Sequence, residues 1–247
     1  MLAKYTLIVC LGALVSSLTG CSSQTAVALA PLAFSDNFDT GYDNWQLSGA
    51  GDGPVKEAND GANKFVTLDS TNSEFTRLKT NLDGALFTEV DLSASMKFRI
   101  EQLPSASRAV RLDLRQASST ENIFYAVGAT INTDGLITKV SIFKKVLDQT
   151  EGYTICSLAE GTLTSPVAAS QWQTIALVIR GTSKVTLAAY LDDTQTASYV
   201  DDCVMSLTST AGSTVSNGGC LTDQTALGIQ VERGIIASVD DILVFSL

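Results

Sequence analysis

No histidine occurs anywhere in this sequence. That removes the Ser/His/Asp and Cys/His nucleophile systems, which need imidazole as their base. It also removes the commonest transition-metal ligand, and with no Cys-x-x-Cys present the chain offers no zinc-type ligand set. Proline is scarce: after Pro31 only Pro54, Pro104 and Pro166 remain. No internal repeat and no second domain is visible. Basic residues are outnumbered, 16 against 26 acidic, for a net charge of −10 and a pI near 4.4. Nucleic acid is therefore an unsuitable partner, because phosphate binding draws on a basic surface. No apolar run beyond the first 20 residues approaches the length of about 20 needed to span a bilayer.

What is present begins at the N-terminus. Lys4 gives Met1 to Tyr5 one positive charge, Thr6 to Val15 is apolar apart from Thr6 and Gly12, and Ser16-Ser17 leads into Leu18-Thr19-Gly20-Cys21. Charged, apolar and small-residue regions follow one another in the order of a secretory signal. The last four residues resemble the lipobox of bacterial lipoproteins. The resemblance implies cleavage after residue 20 and acylation of Cys21, and several acyl chains on one cysteine make a firm anchor. Ser22 in place of Asp favours the outer membrane in that family. Residues 21–31 would then be a tether, reaching roughly 35 Å when extended, and residues 32–247 one domain.

Cys156, Cys203 and Cys220 remain for an oxidising compartment. Three is odd, so at most one bridge forms among them. Cys203 and Cys220 flank a Gly/Ser/Thr-rich loop whose closure would stabilise by roughly 3 kcal/mol. Cys156 bridging one of them is the rival pairing.

From Leu32 onward the apolar period is two. Val90, Leu92, Ala94, Met96, Phe98 and Ile100 alternate with Asp91, Ser93, Ser95, Lys97 and Arg99, the mark of a long half-buried strand. Val110, Leu112 and Leu114 repeat it against Arg111, Asp113 and Arg115. Further strands are expected at 123–131, 136–146, 172–180, 185–191, 226–232 and 236–245. Asn132-Thr133-Asp134-Gly135 signals a hairpin. No stretch has a helical period, so the fold class is all-β, an antiparallel two-sheet sandwich.

Three segments resemble the laminin-G-like, concanavalin A-like jelly roll. They are Phe34-Ser35-Asp36-Asn37-Phe38-Asp39-Thr40-Gly41 with Trp45, then Gln171 to Leu177 leading to Leu191-Asp192-Asp193, then Gly228 to Glu232 leading to Val239-Asp240-Asp241-Ile242. The resemblance implies that first and last strands pair and that Asp36, Asp39, Asp240 and Asp241 share a structural Ca²⁺, a hard ion suited to oxygen ligands. It also implies that Trp45 and Trp172 are core.

By parity, Lys97, Arg99, Arg111, Asp113 and Arg115 point away from the core. Seven basic residues face five acidic ones between Arg77 and Arg115, so this region is locally basic in an acidic chain. Arginine grips carboxylate or sulfate with two prongs, which makes the five a candidate site for an anionic polysaccharide; the alternative is a solvated face with charges paired across strands. Arg111-Leu112-Asp113-Leu114-Arg115 resembles the Arg-x-Glu-x-Arg strand of jelly-roll alginate lyases, but the Gln-x-His strand of that family has no counterpart, Lys144-Lys145 lacks its Tyr-x-Lys-x-Gly-x-Tyr setting, and nothing activates Tyr125 as a base. Glu89-Val90-Asp91 begins the laminarinase-type spelling and then lacks the second Glu that flanking carboxylates require. The sequence therefore reads as an outer-membrane lipoprotein with a non-catalytic carbohydrate-binding jelly roll. A polysaccharide lyase or hydrolase, and a structural or assembly subunit of the envelope, are the alternatives.

Overall fold

The computed structural model describes residues 30–47, 51–80, 90–116, 123–148, 152–222 and 226–247. The leader, Cys21, the tether as far as residue 29 and Glu89 lie outside the described residues. Within them the chain is all strand and connection, with no helix.

The larger sheet holds β1 (Leu32–Asp36), β3 (Val55–Asp60), β4 (Asn63–Asp69), β6 (Leu92–Gln102), β11 (Gln173–Arg180), β12 (Val185–Leu191), β13 (Thr194–Asp201) and β17 (Ile236–Ser246). Its order is β13-β12-β11-β6-β17-β4-β3, with β1 also paired to β17. The smaller holds β2 (Trp45–Leu47), β5 (Phe75–Thr80), β7 (Arg108–Gln116), β8 (Phe124–Ile131), β9 (Leu136–Asp148), β10 (Gly152–Ala168) and β16 (Ala226–Glu232). Its order is β10-β9-β8-β7-β16-β5-β2. A short ribbon, β14 (Leu207–Thr208) with β15 (Thr214–Val215), stands apart. All pairings are antiparallel. First and last strands do pair, Asp36 opposite Ile242.

Period two explains the core. Leu92, Ala94, Met96, Phe98 and Ile100 of β6 pack with Ile175, Leu177 and Ile179 of β11, and with Val110, Leu112 and Leu114 of β7 from the facing sheet. Each of these side chains other than Ala94, fully buried, contributes about 1.5–3 kcal/mol. β6 and β7 are consecutive in sequence yet belong to different sheets, so the link between them crosses the sandwich. Their polar faces consequently look out on opposite sides of the molecule.

The β8–β9 hairpin forms where the Asn132-Thr133-Asp134-Gly135 signal places it. The Asn132 carboxamide oxygen accepts the Asp134 and Leu136 amides at 3.0 and 2.9 Å, and Gly135 takes the left-handed conformation (φ 78°). Asn132→Ala removes both acceptors and is expected to cost about 1 kcal/mol, read as a lowered melting temperature with an unchanged fold. The cysteine alternatives are settled as Cys203–Cys220, with Cα atoms 4.9 Å apart. Cys156 is free and buried.

Candidate functional site

The outward face of the smaller sheet carries a recess built from charged side chains. On β7, Arg111 and Asp113 alternate with the core residues Val110, Leu112 and Leu114. On β16 the neighbours across from them are Gln230 and Gly228, which in turn face Arg77 and Lys79 of β5. On the other flank Arg111 pairs with Gly128 and Asp113 with Ala126, and these meet Ser141 and Phe143 of β9. Arg111, Asp113, Gln230 and Ser141 are buried and form the floor. Arg77, Lys79, Phe143, Lys145 and Glu232 are half-buried, and Tyr153 is exposed, so they make a rim.

Local sequence explains the depth. A Cβ on Gly128 would stand 2.8 Å from Arg111 Cγ and 3.0 Å from the Phe143 ring; only glycine lets the arginine lie across β8. The guanidinium sits 5.6 Å from the Phe143 centroid and donates to Glu232 Oε1 at 2.8 Å. The other Glu232 oxygen accepts the Ala109 amide. Arg77 donates to the enclosed Asp52 carboxylate at 3.2 Å. The Lys145 ammonium is 5.5 Å from both the Phe124 and Tyr153 centroids.

Three buried polar atoms here have no hydrogen-bond partner among the described residues: Arg111 Nε, Asp113 Oδ1 and Asp52 Oδ2. Most buried polar groups in native proteins are paired, and an unpaired one costs roughly 1–3 kcal/mol. Burial pushes the Asp113 carboxyl up to about 7, against the pull of Arg111, Lys145 and Arg77. Burial likewise brings Lys145 down to about 8, with Asp113 opposing the fall and Arg77 and Arg111 adding to it. An acid and a base poised near neutrality, beside a fixed guanidinium, can hold an anionic group and exchange protons with it.

The four cations and one acid expected on one wet face are divided by the structure. Arg111 and Asp113 lie in this recess, but as buried floor rather than solvated surface. Arg115 adopts φ 49° and turns into the protein, donating to the carbonyls of Leu221 (2.9 Å), Gly181 (3.2 Å) and Val90; it ties loops together. Lys97 and Arg99 are on β6, across the sandwich. Lys97 pairs with Asp241. Arg99 donates to Glu101 at 2.6 Å, pairs with Asp60 at 3.6 Å, and lies over Trp172 at 4.7 Å and Phe65 at 5.0 Å. A separate pocket of about 310 Å³ opens there, lined by Asp60, Asn63, Lys97, Trp172, Asp240 and Asp241. Trp45 is core, as expected, whereas Trp172 is half-exposed at this pocket. It precedes β11, so strand parity does not bury it.

The four aspartates do not fit a shared calcium ion. Asp36 accepts the Phe38 amide, the Asn44 carboxamide and the Trp45 indole N–H at 2.8, 3.1 and 2.9 Å, which fills it with donors. Asp39 accepts from Asn37, Asp240 from Asn63 and the Asp241 amide, and Asp241 holds Lys97. Among the described residues no three Asp, Glu, Cys or His side chains are placed to hold a metal ion. Tyr125, weighed as a base, faces the core and donates to Asp201 at 2.7 Å.

Sequence reasoning missed Arg77, Lys79, Lys145, Gln230, Glu232 and the role of Gly128. Parity alone places Gly228, Gln230 and Glu232 opposite Leu227, Ile229 and Val231. That β16 docks beside β7 is a long-range pairing that parity does not carry.

No protein-family model matches the sequence, and no curated protein is similar to it by sequence. Solved structures do share its fold. One belongs to work on endo-acting O-glycanases of human gut microbiota that initiate mucin breakdown (TM-score 0.56, 12% identity, 88% of this chain and 100% of that chain covered). Another is an endo-β-1,4-glucuronan lyase from the fungus Trichoderma reesei (TM-score 0.52, 11% identity, 88% and 96%). A third, from Bacillus subtilis, is described as galectin-like (TM-score 0.51, 10% identity, 87% and 96%). At such identities the likeness concerns the fold, and the chain is a galectin-like jelly-roll sandwich.

Proposed function

We propose that the mature chain is a lipid-anchored protein of the bacterial outer membrane whose jelly roll binds an acidic polysaccharide in the recess on the smaller sheet. One observation carries the binding site: Arg111 and Asp113 are held buried at its floor with Nε and Oδ1 unpartnered, ringed by Arg77, Lys79 and Lys145. A uronate carboxylate would meet the guanidinium, and a sugar hydroxyl would meet Oδ1. Phe143 and Tyr153 at the rim offer ring faces for a sugar. The names of two fold neighbours, a glucuronan lyase and the mucin O-glycanases, support a glycan ligand. The leader and Leu18-Thr19-Gly20-Cys21 support the anchor.

Affinity electrophoresis tests the binding reading. Polyuronates in the gel should retard the protein and neutral glucans should not, and added salt should weaken the effect through screening. Retardation by neutral polymers alone would overturn it. For the anchor, labelled palmitate should enter the wild-type chain and not the Cys21→Ala variant.

A second reading, β-elimination on a uronate chain, is favoured by the near-neutral Asp113 and Lys145. Arg111 would neutralise the uronate carboxylate and lower the cost of removing the neighbouring proton, with Lys145 as base. Growth of unsaturated-uronate absorbance on mixing with polyuronate separates an enzyme from a binder.

A further inference from the structure

A second charged constellation lies inside the sandwich, away from the recess. Lys144 shares the inward parity of Val140 and Ile142 on β9 and is fully buried. Its amine donates to Asp201 Oδ2 at 2.8 Å, to the Gly219 carbonyl at 2.6 Å, and to the carboxamide oxygen of Asn217. Asp201, also fully buried at the end of β13, accepts Asn217 Nδ2 on its other oxygen at 2.9 Å. One carboxylate thus touches both the amine and the amide nitrogen, one oxygen to each. The Lys144 amine thus meets the Asn217 carboxamide at its oxygen, one bond from Cγ. Gly218 and Gly219 take left-handed conformations (φ 73° and 83°), and that turn follows directly on Asn217. The Tyr125 ring, 5.3 Å from the amine, closes another side and its hydroxyl donates to Asp201.

We propose that Lys144 and Asn217 become joined by an intramolecular isopeptide bond, formed by the protein itself with Asp201 as the proton carrier. The balance is complete without a co-reactant. Asp201 takes a proton from the Lys144 ammonium, and the freed lone pair attacks Asn217 Cγ, forming the new C–N bond. A second proton passes from the attacking to the departing nitrogen. The old C–N bond then breaks, its electron pair leaving with ammonia. Ammonia takes up the proton held by Asp201 and departs as ammonium, and Asp201 is a carboxylate again.

Physical chemistry favours the step at this place. Burial lowers the affinity of Lys144 for its proton, against the hold of Asp201, so the nucleophilic amine is accessible. An amine and an amide do not react in water at a useful rate, but fixed contact replaces a bimolecular encounter, and exclusion of water removes hydrolysis as a competitor. The product ties β9 to the loop that Cys203–Cys220 already closes, fixing that loop at two points.

Peptide mapping of the full chain after reduction, alkylation and trypsin decides the matter. The expected result is a branched species, 140–145 uncut at Lys144 and attached to 185–233, lighter than the two peptides together by one ammonia. Cys203 and Cys220 both fall within 185–233, so the disulfide cannot imitate the link. Asn217→Ala and Asp201→Ala should each abolish the branched species. Because a variant can misfold, the wild-type digest stands alone as the test. Linear peptides at full mass, with cleavage after Lys144, would overturn the proposal and leave Lys144 a buried ammonium held by three acceptors.

Discussion

Arg111→Ala is expected to weaken retention by an acidic polysaccharide about a hundredfold, equivalent to about 2.7 kcal/mol, while Arg99→Ala leaves it unchanged. The two arginines differ in what they have left to offer. Arg99 is engaged by Glu101 and Asp60 and lies over the adjoining Trp172 and Phe65 rings. Arg111 has been desolvated in folding, is held over Phe143 and against Glu232, and keeps an unpartnered Nε. A ligand carboxylate arriving there meets a charge whose desolvation and side-chain entropy were settled when the chain folded. The substitution also strips Glu232 of its partner, so melting curves must accompany the binding assay. Loss at Arg99 with retention at Arg111 would move the ligand to the pocket beside Trp172.

The strand pattern was legible because alternation is local. Leu92 to Ile100 and Val110 to Leu114 announce half-buried strands whichever sheet they join, and the Asn132-Gly135 turn fixes its own hairpin. Which sheet a strand joins is non-local. Lys97 and Arg111 carry the same parity signal, yet the crossing between β6 and β7 places them on opposite sides of the sandwich. Parity also fails where the backbone leaves the extended region, as at Arg115 with its positive φ. Lys144 is the converse case. Its parity with Val140 and Ile142 marks it as inward, but its partners Asp201 and Asn217 are 57 and 73 residues away. The candidate calcium ligands are a similar case: the jelly-roll resemblance puts Asp36 and Asp240 on strands that lie in one sheet, and only side-chain partners reveal that Trp45 and Asn63 already occupy them.

Asp113→Asn is expected to stabilise the protein above neutral pH by about 2–4 kcal/mol and to change little near pH 4. The sign follows from the proton. Asp113 in the folded state holds its proton up to about 7, whereas an unfolded aspartate releases it near 4. The folded chain therefore binds the extra proton between those values, and the wild type loses stability as pH rises through that window. Asparagine keeps the neutral shape and lacks the loss. Subtracting wild-type from variant melting curves across pH 4–8 isolates the effect from Asp69 and Asp201, whose carboxyls are lowered by their hydrogen bonds and which act in the opposite direction. The same proton governs the ligand. An anionic sugar placed among Arg111, Lys145, Arg77 and Glu232 makes ionisation of Asp113 harder still, so binding takes up a proton and weakens as pH climbs past 7. With asparagine at 113 the part of that fall that begins near 7 is expected to disappear, leaving only the later loss as Lys145 gives up its proton near 8, while binding itself persists. A wild type without the earlier part would mean that the polymer does not approach this carboxyl.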